Sequence, residues 1–306
     1  MLKKKILVLI TAIAVVTGVS LKSRDVFAEE ISKEEKITLI NSEASNEIKN
    51  VTEDTYEEYY EINGDVITVI LESRPSLGDI LKNVDVSSIN TIKVETNLCR
   101  TFEDKDYIYL ARCNIPNIDL SSSKAEDKVL FHYFCGSTND WLKTIKLPQG
   151  IEELGDSAFA WCKSLEKIYF PTTLKTIEKF AFGSSHVLNL VIPDTVEYIG
   201  DYAFYEAVIN NLELTTPINN VNNTTFTKSN IKNLTVTHSA FTSIRDYLKD
   251  CDLEKMNIKA YRNSEVKEIV EYFKSNEVKY SINIELLTNV DMYLIQECRA
   301  LGITIG

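Results

Sequence analysis

Three stretches decide the fold: Trp141-Leu-Lys-Thr-Ile-Lys-Leu-Pro148, Ser164-Leu-Glu-Lys-Ile-Tyr-Phe-Pro171 and His186-Val-Leu-Asn-Leu-Val-Ile-Pro193. With the last residue of each as a reference position, apolar residues fall six, three and one before it. Others follow three and six after it, as Ile151 and Leu154, Leu174 and Ile177, Val196 and Ile199. Ala-Phe comes ten and eleven after, at Ala158-Phe159, Ala181-Phe182 and Ala203-Phe204. The frame runs outward in both directions with looser spelling. Reference positions fall at residues 72, 95, 121, 148, 171, 193, 215, 237 and 259, with a degenerate turn ending near Ser281.

A pattern recurring every 22–27 residues means one supersecondary unit per turn. Such a unit cannot bury its apolar face alone, so stability comes from stacking neighbours. The alternation before each reference position is a short strand. A proline at its end suits a strand terminus, because proline cannot donate to a ladder. Phe159, Phe182, Phe204 and Phe226 are expected to form a buried aromatic column opposite the strands. The fold class is therefore a strand-rich repeat solenoid with capping elements at both ends.

These residues resemble the BspA-type leucine-rich-repeat family, whose unit reads Leu-x-x-Ile-x-Leu-Pro, then Leu-x-x-Ile-Gly, then Ala-Phe-x-x-Cys. Leu165–Pro171, Ile151–Gly155 and Ala158-Phe159-Ala-Trp-Cys162 carry the match. It is strong over residues 142–215 and weaker, but in frame, over 66–141 and 216–281. Glu178 departs from it by standing where the unit has glycine. The resemblance implies a leucine-rich-repeat solenoid on a bacterial secreted or surface protein, used to bind proteins, with no catalytic residues.

The chain has 306 residues and a net charge of −12. Met1–Lys5 is basic, Ile6–Val19 is apolar, and Val26-Phe27-Ala28 offers compact residues at a cleavage point. This reads as a signal peptide, residues 1–28, cleaved after Ala28. The apolar run is short for a membrane span, and the residue directly after the cleavage point is Glu29 rather than a cysteine. Localisation is thus secreted or surface-associated, with no membrane insertion of the mature chain. Beyond Ala28, 28 basic residues face 44 acidic ones. Nucleic-acid binding rests on phosphate neutralisation by Lys and Arg, which this balance disfavours.

Residues 29–58 are an acidic, partly helical or flexible lead, and 59–95 hold an N-terminal cap and the first turns. Asn63-Gly64 between apolar runs signals a hairpin over Tyr59–Leu71 that would cover the first open edge. The solenoid occupies 96–281, and 282–306 form a C-terminal helical cap. Val266, Ile269, Val270 and Phe273 follow helical spacing, as do Val290, Tyr293, Leu294 and Cys298.

Small residues stand fourteen after the reference position at Cys135, Cys162, Ser185, Ala207, Ser229 and Cys251, which reads as a packing column. Buried free thiols are one reading of Cys135 and Cys162. A bridge between neighbouring turns is the other, since export permits disulfides. Three histidines fall on different turns, no Cys-x-x-Cys occurs, and no nucleophile or phosphate-loop motif is present. No catalytic, cofactor or metal residues are expected, and the chain is not expected to be an enzyme.

Each strand exposes the residues five, four and two before its reference position. Lys146, Lys167, Tyr169, Leu188 and Val191 there combine apolar or aromatic surface with positive charge, the composition of a protein interface. A protein partner, host or bacterial, follows for a binding module such as an adhesin. The alternatives are a self-associating envelope or matrix component, and an exported hydrolase with an unrecognised nucleophile.

Overall fold

The computed structural model describes residues 59–306 apart from 73–74, 83, 98–99, 136–139, 278 and 287–290. The expected signal peptide and acidic lead lie outside the described residues, as do Cys99 and Val290. The described residues belong to the compact unit Tyr56–Gly306.

The strands stack in chain order. β1 (Tyr60–Asn63) and β2 (Val66–Leu71) form an antiparallel hairpin. Its two-residue loop is Gly64-Asp65, one residue later than the expected Asn63-Gly64, with Gly64 at φ 64. β3 (Thr91–Thr96), β4 (Asn117–Asp119), β6 (Thr144–Lys146), β8 (Leu165–Tyr169), β10 (His186–Ile192) and β12 (Val208–Leu214) then add in parallel. β13 (Asn230–Thr237), β14 (Asp252–Ala260), β15 (Ser281–Leu286) and β16 (Thr304–Ile305) complete a sheet of 12 strands. A second sheet of four short strands runs in the order β11 (Tyr198–Ile199), β9 (Thr176–Ile177), β7 (Glu153–Leu154) and β5 (Val129–Leu130). These short strands bury Leu154, Ile177 and Ile199, each six after its reference position, and Leu130, nine after Ser121.

The register follows the sequence frame through the centre. Asp119 pairs with Lys146, and Lys146 with Tyr169. Asn189, Asn211 and Asn233 stand side by side on successive strands. Both ends correct the frame. Thr68 pairs with Lys93, so the first turn's reference position is Ile70 rather than Glu72. A two-residue slip leaves every side chain on its original face, so alternation alone cannot detect it. At the other end Lys259 pairs with Glu285, which puts the last reference position at residue 285, where the sequence frame has Ser281. Ser281 begins its strand rather than ending it.

The cause of this second slip is a connector of different length. Helix α4 (Asn263–Ser275) replaces the compact central turn between β14 and β15. Helices also fill other connectors: α1 (Leu77–Leu81), α2 (Asp104–Cys113), α3 (His238–Ile244) and α5 (Met292–Ala300). The two helices expected near the C-terminus are therefore separated by β15, and β16 follows the second, so residues 282–306 contain strand as well as helix. Among the described residues no helix is long and apolar enough to cross a membrane.

The core lies between the two sheets and follows the repeat. Phe159, Phe182, Phe204 and Phe226 are buried, with successive ring centroids 5.7, 5.6 and 5.3 Å apart and planes within about 13° of parallel. Phe134 extends the column at 5.9 Å from Phe159. The small residues beside it are needed for backbone contact. Ser185 and Ser229 Oγ each donate to the carbonyl three residues back, Phe182 O and Phe226 O, at 2.7 Å. Cys162 Sγ donates to Phe134 O at 3.3 Å. Turn-to-turn backbone bonds run alongside: Phe159 N to Ala181 O and Phe182 N to Ala203 O at 2.8 Å, and Phe204 N to Thr225 O at 3.0 Å.

This connecting side bends through left-handed backbone at two recurring places. One holds Ser157, Phe180 and Tyr202, at φ 60, 55 and 56. The other holds Trp161, Ser184, Glu206 and Lys228, at φ 64, 52, 52 and 56. Non-glycine residues are uncommon there, yet the turn repeats it with unrelated side chains. The conformation belongs to the shape of the turn rather than to any one residue.

Candidate functional site

The five expected partner-binding residues all lie on the open face of the large sheet, and the register draws them into one patch on β6, β8 and β10. Lys146 stands beside Tyr169. Lys167 stands beside Asn189, and Val191 lies two residues beyond Asn189, as Tyr169 lies two beyond Lys167. Tyr169, Leu188 and Val191 are 41%, 43% and 48% exposed, although each is a side chain that burial would reward.

Tyr169 is flanked by two ammonium groups. Lys167 Nζ lies 4.5 Å from its ring centroid and Lys146 Nζ 5.7 Å. Each cation is attracted to the negative face of the ring, which fixes the tyrosine without covering it. Lys146 is anchored in turn by Asp119 on the preceding strand, Nζ to Oδ2 at 2.7 Å. Burial alone would raise the Asp119 carboxyl, but hydrogen bonds from Lys146 and Ser121 outweigh it and hold the group below the usual carboxylate range. The same bond raises the Lys146 ammonium above its ordinary value, so Lys146 stays charged at neutral pH.

A second feature escaped the sequence reading. Asn211 Nδ2 donates to Asn189 Oδ1 at 2.8 Å, and Asn233 Nδ2 donates to Asn211 Oδ1 at 3.1 Å. The amides form a ladder across β10, β12 and β13, beside Leu188 and Val191. The signal was present: asparagine recurs at 22-residue intervals four before the reference position. Further along, Lys259 Nζ reaches Glu213 Oε1 at 3.2 Å, two strands away. The face therefore runs from a cationic aromatic patch, through a hydrogen-bonded amide row, to a charge-paired region.

Among the described residues nothing comparable is gathered around the cysteines or histidines. Cys113, Cys135, Cys162, Cys251 and Cys298 are free. Burial pushes every one of these thiols up, Cys113 and Cys251 to about 11. A thiol held protonated is a poor nucleophile. Burial and the nearby Lys163 lower His186, while His238 Nε2 lies 3.0 Å from Glu268 Oε2 on α4. Among the described residues no group of three or more His, Cys, Asp or Glu is placed to hold a metal ion.

This repeat geometry meets its counterpart in the family comparison. The model of the BspA type leucine rich repeat region matches residues 103–232 and 175–302, with six copies. The chain belongs to that family. The description names an architecture and not an activity. No curated protein matches. Among solved structures, the chain is similar to a leucine-rich repeat protein from Eubacterium ventriosum, at 14% identity and TM-score 0.32. That match covers 64% of this chain and 40% of the other, so the chain spans well under two thirds of that protein's length. It is also similar to the pneumococcal vaccine antigen PcpA, at 11% identity and TM-score 0.34, covering 80% and 96% of the two chains. A leucine-rich cell surface protein from Faecalibacterium prausnitzii is similar at 13% identity and TM-score 0.28, covering 81% and 92%.

Proposed function

We propose that this chain is a secreted bacterial leucine-rich-repeat protein that acts as a protein-binding module, an adhesin or host-contact factor. Its interface in this reading is the patch of Lys146, Lys167, Tyr169, Leu188 and Val191. The observation that carries the reading is the setting of Tyr169: exposed between two lysines, with Leu188 and Val191 open to water on the next strand. Aromatic residues fixed in place and surrounded by apolar contacts are what interface hot spots are made of. Leucine-rich-repeat modules generally mediate protein interactions, which agrees with it.

In this reading residues 1–28 direct export and are removed after Ala28, and 29–58 are an acidic lead. Residues 59–95 begin a capped solenoid, 96–281 form its body and 282–306 close it. The β1–β2 hairpin supports the first closure, since it adds an antiparallel strand at the edge of a parallel sheet. Affinity capture with residues 29–306, from host-surface and bacterial-envelope extracts, tests the function. The control carries Lys167→Glu with Tyr169→Ala. A protein held by the native form and lost from the control supports the module and its face. Capture only of envelope components would favour a structural role, and equal capture by both forms would remove the patch from the account.

A further inference from the structure

The ladder of Asn189, Asn211 and Asn233 is the middle of a longer row. Lys167 stands beside Asn189, and Lys255 beside Asn233. The row runs on to Thr144 on β6 and Ser281 on β15, and no position along it carries a carboxylate. In a chain with 45 acidic residues such a stripe is a marked departure.

Most other charges on this face are matched. Lys143 pairs with Glu166 at 3.4 Å, Lys146 with Asp119 at 2.7 Å and Lys259 with Glu213 at 3.2 Å. Lys232 and Glu254 occupy neighbouring positions on β13 and β14. Lys167 and Lys255 are exposed and form no ion pair among the described residues. Four strand spacings separate them, roughly 19 Å. The amides between them have their donors engaged. Asn211 and Asn233 Nδ2 each donate to the previous turn's Oδ1, at 2.8 and 3.1 Å, and to a strand carbonyl, Leu188 O at 3.5 Å and Asn210 O at 3.3 Å. A carboxamide oxygen accepts two hydrogen bonds, so each Oδ1 has room for an outside donor.

We infer that the partner of this face is an acidic peptide segment, extended and laid across the strands along this row. The inference rests on the binding-module reading and names its partner. Carboxylates meet Lys167 and Lys255 from positions about six residues apart, at roughly 3.3 Å per residue of extended chain. Backbone N–H groups between them donate to the asparagine oxygens. An apolar side chain next to the first carboxylate covers Leu188 and Val191, which lie beside the row on β10 and are exposed. A nucleic-acid strand does not fit. It carries a charge about every 3.4 Å, and most of those charges would face acceptor oxygens rather than cations.

The test is fluorescence anisotropy of the full chain with the labelled, end-capped peptide Glu-Ser-Leu-Ser-Leu-Ser-Glu, the same peptide with Gln at both ends, and a labelled hyaluronan oligosaccharide. The Glu-ended peptide should bind about tenfold more tightly than the Gln-ended one, and added salt should erode that difference. Lys255→Glu should weaken its binding about tenfold, because repulsion replaces attraction. Lys255 is exposed on its strand, and an unchanged thermal midpoint verifies the fold. Equal binding of the two peptides, binding of neither, tighter binding of hyaluronan, or full binding by Lys255→Glu would overturn the inference. Lys255 lies outside the proposed patch, so the two readings fail differently. A captured protein lost from the Lys167→Glu, Tyr169→Ala variant but fully held by Lys255→Glu would keep the binding module and overturn the acidic segment.

Discussion

Glu178 shows what a single residue does when it breaks the repeat. It occupies the place that glycine holds at Gly155 and Gly200. Burial raises its carboxyl, and the nearby Glu153 and Asp156 push in the same direction. The folded state therefore disfavours the charged form. That penalty is present above the folded pKa and disappears as pH falls through it. Glu178→Gln is expected to raise the thermal midpoint at pH 7, and the gain should vanish once the pH is low enough to protonate Glu178. Parallel melts at pH 7 and pH 4 check the sign. Phe182 sits at the opposite extreme, fully buried with stacked neighbours on both sides. Phe182→Ala should cost about 3–5 kcal/mol, read by denaturant unfolding.

Individual elements explain which parts of the fold were legible in the sequence. β6, β8, β10 and β12 carry the same apolar spacing and fall where the frame puts them, because each is followed by the same compact turn; β13 keeps the frame because the connector that holds α3 has the same length. The aromatic and small-residue columns were readable for the same reason. The slips at Thr68 and Glu285 arise where connectors change, in the segment with α1 between β2 and β3 and at α4. α2 was not read at all. Six of its ten residues are apolar and run almost consecutively, so no one-sided stripe stands out, although only Tyr107 and Leu110 of them are buried; its N-terminus is built from acids, Glu103 and Asp106 closing a capping box. The patch residues were legible as exposed positions. The contacts that organise them were not, because the Asp119–Lys146 pair and the Asn189–Asn211–Asn233 ladder depend on register between strands. α3 offers a direct check on an element. Thr237 Oγ1 accepts from Ala240 N at 3.2 Å as its N-cap and donates to Thr215 O at 2.7 Å on the preceding turn. Thr237→Ala should cost about 1 kcal/mol through the cap. Hydrogen exchange should show the loss first in His238–Ile244.

Across the whole molecule the same columns that make the fold recognisable are buried, while the residues that would choose a partner vary from turn to turn on the open face. Repeat proteins are held by neighbour contacts, and no covalent staple is needed where each turn buries its own share. The free described cysteines agree with this. Titration with a thiol reagent, without reductant, should find six reactive thiols per chain after denaturation and slow reaction of Cys162 and Cys298 before it. Fewer than six would show a bridge.

The most direct test of the binding-module account is the dissociation constant of the captured partner for the native chain and for the Lys167→Glu, Tyr169→Ala variant, with equal thermal midpoints verified first. Hot-spot truncation costs at least about 2 kcal/mol, so the account predicts affinity at least roughly thirtyfold weaker in the variant. An unchanged dissociation constant in a variant that folds as the native chain does would contradict it.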